Sequence, residues 1–237
     1  MNVAILTAAG RGTRTRQDIP KQFLHINNKP LIIYTLEAFQ EHPSIDAILV
    51  VCLEGWHEVL GAYAKQFNIT KLKWIVPGGA TGTESIKNGI FELKKHCKKD
   101  DVILIHDGNR ALVSQEIITD SLVTYKNYGS AVAAIPCVEA IFKSSDGISS
   151  DISIPREELY RTQTPHTYNL GKLLWAYKEA DKKNIVSTTA TCTLMNLLGE
   201  KVYFSKGSDR NMKVTTTEDI DIFKSLLDSE LDAYIKR

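Results

Sequence analysis

Two glycines and four cations near the start of the chain define the chemistry open to it. Gly10 and Gly12, in Ala8-Ala9-Gly10-Arg11-Gly12, let backbone N–H groups approach a ligand closely. Arg11, Arg14, Arg16 and Lys21 crowd the same stretch, a density of positive charge that suits a multiply charged anion such as a triphosphate. The loop follows Val3–Leu6, an apolar run that reads as a buried strand. Thr15 stands where a dinucleotide fingerprint needs its third glycine, and no Gly-Lys-Ser/Thr follows, so neither common phosphate loop is present. A lone loop of this kind also fits an ordinary strand-to-helix turn with a solvated basic face.

The elements that must position this loop alternate. Strand-like runs at Val3–Leu6, Ala47–Cys52, Lys73–Val76, Val102–Ile105 and Ser130–Ile135 are separated by helical patterns at Leu31–Glu41, His57–Phe67, Glu84–Lys95 and Gln115–Tyr128. That order predicts an α/β fold with a mostly parallel sheet and helices on both faces. Ligands of such sheets gather outside the carboxyl ends of the strands. The Gly10 loop, the Gly78-Gly79 turn and the His106-Asp107 segment each follow a strand, so they are expected to meet at one edge. Between Pro136 and Pro155 the rhythm breaks into two short β-prone runs around Ser144-Ser-Asp-Gly147, which predicts a hairpin that needs a surface to pack on.

Six ordered motifs extend the reading. They are Ala8-Ala9-Gly10-Arg11-Gly12-Thr13-Arg14; Pro20-Lys21-Gln22; Gly78-Gly79 with Glu84-Ser85-Ile86-Lys87-Asn88-Gly89; His106-Asp107-Gly108-Asn109-Arg110; Gln163-Thr164-Pro165; and Asn211-Met212-Lys213-Val214-Thr215 with Glu218-Asp219. In these, over nearly its whole length, the chain resembles the family of 2-C-methyl-D-erythritol 4-phosphate cytidylyltransferase and ribitol-5-phosphate cytidylyltransferase. The resemblance implies a single Rossmann-like nucleotidyltransferase domain over residues 1–237, with residues 136–158 inserted as a protruding β-hairpin arm that joins a homodimer. It implies transfer of CMP from CTP to a small phosphorylated polyol or sugar, with ribitol 5-phosphate slightly favoured over 2-C-methyl-D-erythritol 4-phosphate. A non-catalytic nucleotide-binding relative and a nicotinamide-dependent dehydrogenase are the rival functions; the incomplete glycine fingerprint speaks against the second.

By the same resemblance Arg14, Lys21 and Lys213 are the catalytic cations. Ala8, Ala9, Gly10, Gly12, Gly79 and Ser85 hold the nucleotide. Asp107, Arg110, Arg156 and Thr164 hold the acceptor, with Arg156 acting from the partner subunit's arm. Asp107 is also the expected contact for Mg²⁺, which commonly uses one or two carboxylates plus substrate phosphates. A carboxylate after a buried strand also fits a plain helix N-cap. His106 reads as a packed or hydrogen-bonded histidine. Gly82, Ala140, Asn109-Arg110-Ala111 and Ser187-Thr188-Thr189-Ala190 depart from the family pattern, all on the acceptor side, a pattern that fits a changed acceptor, a weakened enzyme or ordinary drift.

Composition agrees. The 43% hydrophobic and 24% charged fractions are those of a globular protein, and 237 residues suffice for one sizeable core. A net charge of +1 gives no reason to expect nucleic acid or a membrane surface as partner. Cys52, Cys97, Cys137 and Cys192 lie far apart, which predicts free thiols in a reducing, cytoplasmic setting.

Overall fold

Alternation inside a single strand builds both faces of the core. The computed structural model describes residues 1–10 and 19–228. In β1 (Asn2–Ala8), Val3 and Ile5 point to one side and Ala4 and Leu6 to the other, all fully buried. β4 (Ala47–Cys52) is buried at every position, as a strand covered on both faces must be. One face packs on α1 (Leu31–Glu41), α2 (His57–Gln66) and α4 (Gln115–Tyr128) through Leu36, Phe39, Leu60 and Ile118. The other packs on α3 (Gly82–Leu93), α5 (Leu170–Lys182) and α6 (Thr191–Leu197) through Ile90, Leu93, Leu173, Ala176 and Met195. Truncating any one of the buried leucines to alanine is worth about 2–5 kcal/mol. A third cluster joins Ile26 and Leu31 to Val214 and to Phe223 of α7 (Thr217–Asp228).

Among the described residues the main sheet has seven strands, and β2 (His25–Ile26) pairs separately with β3 (Lys29–Pro30). With β5 (Leu72–Pro77), β6 (Val102–Asp107), β7 (Ala131–Pro136), β10 (Tyr160–Asn169) and β11 (Phe204–Lys206), the order is β11-β7-β10-β6-β1-β4-β5. β10 runs against both of its neighbours; every other pairing is parallel. The chain leaves β1 towards β4 and β5, then returns to β6 on the opposite side. That reversal opens a crevice at the carboxyl ends of β1 and β6.

Side chains set the helix starts at this edge. The Thr81 hydroxyl accepts from Glu84 N–H, so α3 begins at Gly82, two residues earlier than its apolar periodicity predicts. Ser114 caps α4 in the same way, and Gly129, at φ 79°, ends it. The expected hairpin is present as β8 (Ile141–Lys143) and β9 (Ile152–Ile154). Its turn is held by the Asp146 carboxylate, which accepts from the N–H groups of Ile148 and Ser149. β10 carries no apolar run and contains Pro165, so nothing local marks it as a strand. The four cysteines are free. Among the described residues no helix is long and apolar enough to cross a membrane.

Candidate active site

A cleft of about 850 Å³ opens at the carboxyl edge of the sheet. Ala8, Ala9 and Gly10 line it at the end of β1, Gly78 to Ser85 after β5, and Asp107 after β6. Lys21, Thr188 to Thr191 and Lys213 close the rest. It thus gathers Ala8, Ala9, Gly10, Gly79, Ser85, Lys21, Asp107 and Lys213, which lie as much as 205 residues apart in the chain. Arg14 and Gly12 lie outside the described residues.

Close approach explains the glycine pair. A Cβ on Gly78 would sit 2.3 Å from the Cβ of Ala9, so only glycine lets the two loops touch. The Ser85 hydroxyl accepts from Gly79 N–H at 3.0 Å and donates to Thr81 O at 2.9 Å, fixing the turn against α3. Across the cleft Gln22 is buried in the short 3-10 helix Lys21–Phe23. Its amide donates to Ala8 O at 2.7 Å and Gly10 O at 3.1 Å, which sets Lys21 beside the glycine loop. Gln22 belongs to the Pro20-Lys21-Gln22 motif, yet only its place between a cation and Phe23 could have drawn notice.

Asp107 is the electrostatic centre. One carboxylate oxygen accepts from Lys213 Nζ at 2.9 Å and the other from Arg110 Nε at 2.9 Å. Burial by itself raises this carboxyl's pKa, but Lys213 and Arg110 outweigh it and hold the group well below the usual carboxylate range. Among the described residues no three His, Cys, Asp or Glu side chains cluster, and Asp107 is an oxygen donor on the cleft wall, the donor type that Mg²⁺ takes.

Arg110 and Thr164 stand behind that wall. The Thr164 hydroxyl accepts from Asp107 N–H at 3.1 Å and lies 3.0 Å from His106 Nδ1. His106 Nε2 faces Arg110 O at 3.2 Å, so this nitrogen carries the proton and Nδ1 accepts from Thr164. Burial pushes His106 down to about 4, and the ring is neutral near pH 7. His166, on the neighbouring strand, is pushed down to about 4 in the same way.

The Lys213 segment is tied from several sides. Arg110 Nη1 donates to Asn211 O at 2.7 Å, and the Asn211 amide donates to Thr164 O at 2.8 Å. The Asn109 amide donates to Val214 O while Val214 N–H donates to Asn109 O. Arg156 is elsewhere. It is exposed at the base of the hairpin, donating to Val138 O at 3.0 Å and lying 3.6 Å from Glu157. Of the departures, Thr189, Gly82 and the mostly buried Asn109 line the cleft, and Ala140 is exposed on the arm. A Cβ on Gly82 meets nothing within 4 Å.

The profile of the IspD family, 2-C-methyl-D-erythritol 4-phosphate cytidylyltransferase, matches residues 2–229. A ribitol-5-phosphate cytidylyltransferase of Lacticaseibacillus paracasei is 42% identical over 229 residues, covering 96% of this chain and 98% of that one. A 2-C-methyl-D-erythritol 4-phosphate cytidylyltransferase of Clostridium botulinum is 38% identical over 228 residues, with 96% and 97% covered. Among solved structures, the 4-diphosphocytidyl-2C-methyl-D-erythritol synthase of Anaerococcus prevotii superposes with a TM-score of 0.81 at 23% identity, over 96% of both chains. That likeness establishes the fold.

Proposed function

The chain belongs to the 2-C-methyl-D-erythritol 4-phosphate cytidylyltransferase family, and on that premise we propose that it transfers CMP from CTP to ribitol 5-phosphate and releases pyrophosphate. One observation carries the reading: Lys21, Asp107 and Lys213 share a single cleft with the small-residue turns at Ala8–Gly10 and Gly78-Gly79. The acceptor follows the Lacticaseibacillus paracasei relative, 42% identical and named for ribitol 5-phosphate.

An ionised oxygen of the acceptor phosphate attacks the α-phosphorus of CTP. The bond from that phosphorus to the bridging oxygen breaks, and pyrophosphate departs with the electron pair. The step needs placement and charge neutralisation more than proton transfer. Lys21, Lys213 and Arg14 supply the positive charge, and a preorganised donor of this kind is commonly worth about 10²–10³ in rate. Lys213 is suited to the task because Asp107 holds its ammonium at 2.9 Å before substrate arrives. Asp107 would hold Mg²⁺, which would supply further neutralisation of phosphate charge.

Ala8, Ala9, Gly10, Gly12, Gly79 and Ser85 form the nucleotide pocket. Asp107, Arg110 and Thr164 are the fixed part of the acceptor site, and Arg156 reaches it from the arm of a partner in a homodimer. The free thiols suit a cytoplasmic location.

The test is product identification. With Mg²⁺, CTP and ribitol 5-phosphate, mass spectrometry should detect a CDP-linked polyol together with pyrophosphate. The alternative acceptor, 2-C-methyl-D-erythritol 4-phosphate, is the parallel arm. Product from that compound alone would reassign the acceptor; CTP binding without product from either would indicate a non-catalytic relative.

A further inference from the structure

We propose that Asn109 is a positioning residue for Lys213, an inference that rests on the transferase reading above. Asn109 is buried, at 6% exposure, in the floor of the cleft. It holds Val214 twice over: its side-chain amide donates to Val214 O, and its own carbonyl accepts from Val214 N–H at 3.0 Å. Arg110, the next residue, holds the other end of the same segment through Asn211 O. Lys213 lies between these two ties.

Lys213 needs such a mooring. Its side chain is 44% exposed and pairs with Asp107 at 2.9 Å. An exposed lysine on a loose segment would sample many positions, and the pair with Asp107 can hold the ammonium only if the backbone beneath it is held as well. The ties to Asn109 and Arg110 lock the backbone on both sides, and from that fixed base the pair with Asp107 places the ammonium. Both ties come from the turn that also carries Asp107, whose geometry is set by Arg110 N–H donating to Asp107 O at 3.0 Å. Carboxylate and ammonium therefore share one frame. A small residue at position 109 would keep the main-chain half of the clamp and lose the amide half. Asparagine here is thus a reinforced version of the clamp.

Because Asn109 also borders the cleft, direct substrate contact must be told apart from positioning, and a double-mutant cycle does so. Asn109→Ala, Lys213→Ala and the double variant are compared with the wild type in steady-state pyrophosphate release. Thermal unfolding checks that each is folded. Asn109→Asp, which keeps the shape and removes the donor, serves as a second variant should the alanine form fail to fold. The expected result is a fall in kcat of about tenfold for Asn109→Ala with both KM values kept within about twofold, since a small misplacement of a catalytic group is costly. On the Lys213→Ala background the same change should cost less than about twofold. An equal loss on both backgrounds, a raised KM at unchanged kcat, or wild-type kinetics would overturn the role of Asn109 alone. Undiminished turnover in Lys213→Ala would instead overturn the assignment of Lys213 and, with it, this inference.

Discussion

Arg110 and Arg156 are both candidate acceptor ligands, and they could hardly be housed more differently. The Arg110 side chain is 13% exposed, bonded to Asp107 and to Asn211 O, with its own carbonyl on His106. Arg156 is 57% exposed on a hairpin whose contacts are mostly its own turn, and its partners are Val138 O and Glu157. The Asp107–Arg110 turn is a frame held by bonds within one chain. The arm is a presented surface, with Val138, Phe142, Ile148 and Ile152 exposed along it. Preorganisation belongs where charge develops in the transition state, while an exposed arm suits a group that acts on another subunit.

Substitutions and acid titration test this contrast. Lys213→Ala should give the largest effect, lowering kcat by about 10²–10³; steady-state kinetics checks it. Acid should come next. His106 and His166 fold with pKa values of about 4 against an ordinary 6.5, so the unfolded chain binds more protons in between. Their contribution to stability is complete above pH 6.5 and drains as pH falls towards 4, at up to roughly 1.4 kcal/mol per pH unit for each ring. Urea titrations across that window should show the slope, and His166→Gln should reduce it.

The two arginines should then separate. Arg110→Ala leaves Asp107 with one cation fewer and Asn211 O without its donor, at a cost of about 1–3 kcal/mol in urea unfolding. Arg156→Ala should leave stability within about 0.5 kcal/mol and raise KM for the acceptor without touching that for CTP. Equal loss of stability in both would erase the contrast. The smallest effect is expected from Ala140→Thr with Gly82→Arg, which should shift acceptor preference by only a few-fold in competition assays; position 82 has room for the new side chain.

Much of this frame was legible in the sequence where the signal is local. β4, α1 and α4 take the spans that their apolar patterns predict, and the expected loops do meet at the carboxyl edge. β10 was not legible: its buried Gln163, Thr164, His166 and Thr167 look like loop chemistry until tertiary bonds satisfy them. Gln163, for example, bonds to Ser208 and Asn211, more than 40 residues on. The Asn109–Val214 clamp spans 105 residues and leaves no periodicity or spacing to find. The motifs announced which residues meet, whereas the hydrogen bonds that hold them could be seen only in the fold.

The most direct test of the account is the rate of pyrophosphate release with Mg²⁺ and CTP for ribitol 5-phosphate against 2-C-methyl-D-erythritol 4-phosphate. The account predicts CTP-dependent release with kcat/KM at least about tenfold higher for ribitol 5-phosphate. Preference for the methylerythritol compound, or no release with either acceptor, would contradict it.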